Sequence, residues 1–112
     1  VLSMPLMSEM IHCLTGWQTS SYEIMKWGSK RNNIMRLYNL REKINFKLDN
    51  LPDRFFKEKL KSSPKKGIKL NKKKFNSVIK TYYEMMGWSN KGVPKYSTLI
   101  ENHLEEFKYI IQ

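Results

Sequence analysis

The residues predict an all-α protein, about five helices in one compact orthogonal-type bundle. Three observations lead there. Apolar residues recur at spacings of three and four along most of the chain, which is the period of one helix face. No segment alternates apolar and polar residues between Gly/Asn turns, as half-buried strands do. Helix punctuation recurs in the right order, with Ser, Asn or Pro ahead of the periodic stretches and Gly behind them. The 112 residues suit one helical domain, 1–112, able to bury roughly 65% of its unfolded surface.

The first helix is expected over Leu6 to Leu14. Ser3 caps it, Pro5 suits its first turn, and Gly16 lies just past its end. Leu6, Met7, Met10, Ile11 and Leu14 follow helical spacing, and their Met content suits an adaptable contact with another domain. Ser20-Ser21-Tyr22-Glu23 reads as a capping box that opens a long second helix, running to about Leu40. Ile24, Trp27, Arg31, Ile34, Leu37, Tyr38 and Arg41 fall near one stripe. Gly28 costs ~1 kcal/mol inside a helix relative to Ala, so a neighbouring backbone or bulky ring is expected against it. Asn32, Asn33 and Asn39 are poor helix formers. They predict that part of the helix is buried against hydrogen-bonding partners.

Residues 42–51 form a connection. Asp49 or Asn50 is expected to cap a short third helix, Asp53 to Leu60, anchored by Phe55 and Phe56. Lys61 to Gly67 reads as a solvated loop. The fourth helix follows a cap at Asn71. Phe75, Val78, Ile79, Tyr82, Tyr83 and Met86 form its apolar stripe, Gly87 ends it, and Trp88 folds back as the apolar contact of the cap. Asn90-Lys91-Gly92-Val93-Pro94 is a turn. A last helix is expected from Ser97 or Thr98, carrying Leu99, His103, Leu104 and Phe107.

The net charge is +11, from 21 basic and 10 acidic residues. Of the basic residues 17 are Lys, and nine of these fall between Lys57 and Lys74. That run contains no Arg, the side chain that reads base edges, and matches no known recognition motif. A small basic nucleic-acid-binding module is therefore the runner-up reading. No apolar run approaches the ~18 residues of a membrane span. The first residues show no basic, then apolar, signal-peptide pattern, so a cytoplasmic setting is expected.

The chemical inventory is thin. His12 and Cys13 are neighbours, about 100° apart on a helix, whereas a nucleophilic pair must converge. Cys13, the one cysteine, is expected to be a small core residue, and His103 a packed histidine. One Cys and two His at these spacings make no metal site. No catalytic residue is assigned. The stretch Gly28 to Glu42 mixes Gly, Asn, Arg and apolar residues on one helix. Its Arg and Asn side chains either tie the helix to neighbouring backbone, or present Arg31, Arg36 and Arg41 to an anion.

Four landmarks occur in series. They are Leu14-Thr15-Gly16-Trp17 before a capped helix; Gly28, Asn33, Arg36, Tyr38, Asn39, Arg41 and Glu42; Leu51-Pro52-Asp53-Arg54-Phe55-Phe56; and Tyr82-Tyr83-Glu84-Met85-Met86-Gly87-Trp88 with Asn90 to Pro94. In this order they resemble the C-terminal part of the tungsten-containing aldehyde:ferredoxin oxidoreductases, over about residues 8 to 106. The resemblance implies a piece of an enzyme that oxidises aldehydes to carboxylic acids and passes electrons to ferredoxin. It implies a tungsten bis-pterin cofactor and a [4Fe–4S] cluster for the full-length enzyme, and places this chain at the end of its third, helical domain. The partners implied are the remaining domains and, through Lys57 to Lys74, ferredoxin.

The family's Asp-x-x-Gly-x-Cys cluster motif is absent here, and Ile11-His12-Cys13 does not replace it. No cofactor is therefore expected on this chain alone, and the isolated chain is not expected to be active. Asn33, Arg36, Asn39 and Arg41 match family positions. They are the interface candidates, with a mainly architectural role, because Arg's fixed donor fork suits bridging carbonyls and helix ends.

Overall fold

The structure, a computed structural model, describes residues 3–59 and 67–112. Five α-helices follow one another: α1 (Met4–Thr15), α2 (Ser21–Arg41), α3 (Arg54–Lys57), α4 (Lys72–Met85) and α5 (Tyr96–Glu101). Single 3₁₀ segments lie at Phe46–Leu48 and Glu105–Ile110. Among the described residues there is no strand, only an isolated bridge between Trp88 and Pro94. The all-α expectation holds.

The caps expected for α1, α2 and α4 form, and the Asp49 or Asn50 cap expected for the third helix does not. The Ser3 hydroxyl accepts from the Leu6 amide at 3.4 Å, and Gly16 closes α1 in the left-handed conformation. At the start of α2 the Ser20 hydroxyl accepts from the Glu23 amide at 3.2 Å, and the Ser20 amide donates to Glu23 Oε2 at 2.8 Å. Those bonds from Ser20, its backbone amide foremost, hold the Glu23 carboxyl below its usual range. Asn71 Oδ1 accepts from the Lys74 amide at 3.1 Å and starts α4. At the other end of α4 the Trp88 amide reaches Tyr83 O at 2.8 Å and the Gly87 amide reaches Glu84 O at 3.0 Å. This is the paired closure that a left-handed glycine permits.

Two other helices close the same way without glycine. Lys43, at φ 62°, ends α2, with Ile44 donating to Asn39 O and Lys43 to Leu40 O. His103, at φ 52°, ends α5, with Leu104 donating to Leu99 O and His103 to Ile100 O. The expected last helix is thus broken at His103. Leu104 and Phe107 reach the core from a separate 3₁₀ segment, and His103 itself is exposed.

Three further expectations are corrected. The third helix is a single turn, Arg54–Lys57, rather than Asp53 to Leu60; residues 60–66, including Lys61, Lys65 and Lys66, lie outside the described residues. Cys13 is exposed, on the side of α1 opposite its half-buried Met7 and Ile11. Among the described residues nothing packs on Gly28: a Cβ there would meet no atom within 4 Å.

The core is small. Leu37 of α2, Leu99 of α5 and Leu104 are buried together, with Phe107, Ile110 and Ile111 against them. Tyr83 and Trp88 are also buried, outside this cluster, whereas Val78 and Tyr82 of the α4 stripe stay exposed. No residue of α1 is buried. The radius of gyration is 18.3 Å, against about 13 Å for a self-contained domain of this length. Helices α1 and the first half of α2 form an arm that packs only lightly against the rest.

Candidate functional site

Buried in the second half of α2, Arg36 is the most enclosed cation among the described residues, at 6% exposure. Burying a guanidinium is costly unless its charge and donors are met. Here the charge is met by Asp49, and Nε and Nη1 find acceptors in distant parts of the chain, while Nη2 is buried without a hydrogen-bond partner. Arg36 Nε donates to Gly92 O at 2.6 Å. Nη1 donates to Asp49 Oδ1 at 3.0 Å, and Nη2 lies 2.7 Å from Asp49 Oδ2. The contact pairs the two charges closely, but only its Nη1 prong is a hydrogen bond. The guanidinium plane stacks near the rings of Trp88, at 5.1 Å, and Tyr83, at 5.8 Å, adding cation–π attraction in a desolvated place.

The partners are themselves held. The Tyr83 hydroxyl donates to Asp49 Oδ2. Burial, then the bond to Asp49, pushes the Tyr83 hydroxyl up to about 12. Trp88 packs between Tyr82 and Tyr83, with ring centroids 5.8 Å away in each case. Its Nε1 donates to Asn33 Oδ1 at 2.8 Å, and Asn33 Nδ2 donates to Ser29 O at 3.0 Å. Asn33, one turn before Arg36, therefore serves the same cluster.

Gly92 has to be glycine. Its φ is +66°, and a Cβ would overlap Arg36 Nη2 and stand 2.9 Å from Tyr83 Cζ. Ser89 shapes the turn that presents it: the Ser89 amide donates to Val93 O at 2.7 Å, and Ser89 Oγ accepts from the Val93 amide at 3.2 Å.

Of the four interface candidates, the structure brings Asn33 and Arg36 together through Trp88. Asn39 is half-buried and lines a shallow groove of about 280 Å³ next to Arg36, with Asn32, Met35, Asp49 and Ile79. Arg41 lies apart. It pairs with Glu42 at 2.9 Å, which raises its guanidinium above the usual range, and it stacks on Tyr38 at 4.8 Å. Arg31 is exposed. Arg31, Arg36 and Arg41 do not converge, so they form no common anion site. Asp49, expected as a helix cap, is instead the counter-ion of Arg36. The sequence signal for that role was the run of Tyr83, Trp88 and Gly92, whose partners it did not reveal.

Neither group implied by the resemblance fits these residues. A [4Fe–4S] cluster takes four thiolates, and the chain has one cysteine. No three His, Cys, Asp or Glu side chains among the described residues are placed to share a metal. Arg36, the buried cation that a pterin phosphate would seek, is already engaged by Asp49 and Gly92. In the lysine-rich region, Lys57 and Lys72 are turned toward Asp53 at 3.0 and 3.8 Å, and Lys57 foremost holds that carboxyl below its usual range. No helix among the described residues is long and apolar enough to cross a membrane.

Comparison with known proteins fits this architecture into a larger one. A sequence model of the family described as "Aldehyde ferredoxin oxidoreductase, domains 2 & 3" matches residues 1–104. A tungsten-containing aldehyde ferredoxin oxidoreductase of Pyrococcus horikoshii is 33% identical over 101 residues, covering 89% of this chain and 16% of the relative. The protein of that name from Pyrococcus abyssi is 32% identical over 88% of this chain and 16% of its own length. That of Thermococcus kodakarensis is 31% identical over 75% of this chain and 14% of its own. The chain thus spans about one-sixth of the length of these relatives. On these matches, the chain belongs to the aldehyde ferredoxin oxidoreductase family, within its domains 2 and 3.

Proposed function

We propose that the chain supplies the helical end of the third domain of a tungsten-dependent enzyme that oxidises aldehydes to carboxylic acids and passes the electrons to ferredoxin. Its part is structural: it encloses the cofactor-bearing domains without ligating tungsten, pterin or cluster. The carrying observation is the family match over residues 1–104, whose landmarks the Arg36 cluster ties together. Asn33, Arg36 and Asn39 then fix the shape of a domain face, and Arg41 lies at its edge. A cytoplasmic setting follows from reduction of ferredoxin, and docking of acidic ferredoxin through the Lys57–Lys74 region belongs to the same reading.

A chimera tests it. The stretch of the Pyrococcus horikoshii enzyme matched by this chain is replaced with residues 1–112, and tungsten, iron and aldehyde-dependent ferredoxin reduction are measured. Metals and activity are expected in the chimera, and neither metal in the isolated chain. A soluble, metal-loaded chimera that oxidises no aldehyde refutes the reading, as does tungsten or iron in the isolated chain. Changing Lys72 and Lys73 to Glu in the chimera should slow ferredoxin reduction, and an unchanged rate removes the docking role. Should the chain instead bind duplex DNA with affinity falling steeply between about 50 and 200 mM salt, the nucleic-acid reading replaces this one.

A further inference from the structure

We propose that residues 3–28, α1 with the first two turns of α2, are the face by which this stretch docks on the remaining domains of an aldehyde-oxidoreductase-type enzyme. The inference rests on the family reading above and adds the surface and its chemistry.

Charge is the first observation. The protein carries +11, yet residues 3–28 hold only Glu9, Glu23 and Lys26 as charged side chains. The arm is net −1 and the rest of the chain net +12. The same segment holds four of the seven Met and two of the three Trp. Charge depletion with Met and aromatic enrichment is the composition of an interface core.

Exposure is the second. Leu6, Met10 and Leu14 stand four residues apart, on one ridge of α1, and are 45%, 46% and 82% exposed. Trp17, Tyr22 and Met25 of the same segment are also exposed, at 66%, 67% and 63%. A patch of this kind on a helix pair marks a contact site. Gly28 supplies the third observation: it interrupts a helix at an energetic cost and has open space before it, which suits close approach of a backbone from outside the chain.

The occupant follows from charge and from length. A membrane-surface helix carries Lys and Arg along its polar face, and the arm has one lysine. Nucleic acid requires positive charge, and the arm is net negative. The family match runs through the arm itself, and the relatives carry that stretch within chains about six times longer. About five-sixths of the length of those relatives lies outside the matched stretch.

The probe is the Pyrococcus horikoshii enzyme with its matched stretch deleted, mixed with the full 112-residue chain. A one-to-one complex is expected, with amide-exchange protection gained in residues 3–28. The double variant Leu14→Lys/Met25→Lys should weaken it at least about 100-fold, the loss expected from two buried apolar side chains. Lys72→Glu/Lys73→Glu should leave it within about threefold. Both altered arm positions face solvent, so the isolated variants should keep the buried Trp88 emission that reports folding. A complex indifferent to Leu14→Lys/Met25→Lys overturns the proposal and leaves the chimera result above to judge the family reading. Absence of any complex, a dimer of this chain through residues 3–28 that the probe does not displace, or capture of the arm by anionic vesicles also overturns it.

Discussion

Adding one methyl group at Gly92 should dismantle the Arg36 cluster. A left-handed φ costs an L-residue about 1–2 kcal/mol. The new Cβ would overlap Arg36 Nη2 and stand 2.9 Å from Tyr83 Cζ. Neither neighbour is free to retreat, since Arg36 is held by Gly92 O and Asp49, and Tyr83 by Asp49 and Trp88. Displacing the guanidinium breaks a buried pair, which costs about 3–5 kcal/mol. Gly92→Ala should therefore destabilise by about 4–7 kcal/mol, against a total of about 5–15 kcal/mol for an ordinary domain. Gly16→Ala is the control: its φ is +75°, but its Cβ would meet nothing within 4 Å, so only the backbone cost remains. Urea unfolding followed by Trp88 emission, with Trp17 and Trp27 changed to Phe, measures both. If Gly92→Ala costs no more than Gly16→Ala, the close approach to Arg36 is not what requires glycine.

Three other outcomes follow from the same geometry. Asn33→Leu leaves the Trp88 indole N–H buried without its acceptor, a loss of about 1–3 kcal/mol, whereas adding Trp88→Phe should recover the part due to the unmet donor; additive losses in the double-mutant cycle would deny the bond. Tyr83 has a folded-state value of about 12, above its unfolded value near ~10, so its contribution is complete below pH ~10 and is lost as pH rises from there toward ~12. Phenolate absorbance should show one of the six tyrosines titrating late, and removal of that late step by Tyr83→Phe is the check; a single common titration would contradict it. Gly28→Ala should stabilise the isolated chain by about 1 kcal/mol, because nothing occupies the space before it, and a loss in thermal unfolding would show a contact the structure lacks.

Helix positions were legible because their signals are local. The Ser20/Glu23 box, Asn71 and the Gly87-Trp88 closure each act within a few residues, and each formed. The end of α5 was not legible, since His103 takes a left-handed conformation that short sequence signals reserve for Gly or Asn. Half of the site was legible. Asn33 and Arg36 stood out as polar residues on a helix that had to be buried somewhere. Asp49 and Gly92 did not, because their roles depend on contacts 13 and 56 positions away from Arg36. Cys13 and Gly28 were misjudged for one reason: both sit on the arm, where spacing alone implies a buried face and this chain supplies nothing to cover it.

We infer that Arg36 serves the fold and is not held open for an anion. Nitrogen-15 NMR of the Arg36 Nε–H reads this directly. The structure predicts a slowly exchanging resonance, shifted by its bond to Gly92 O and unmoved by added phosphate. A resonance that exchanges freely with water, or that follows phosphate in a saturable titration, would contradict it.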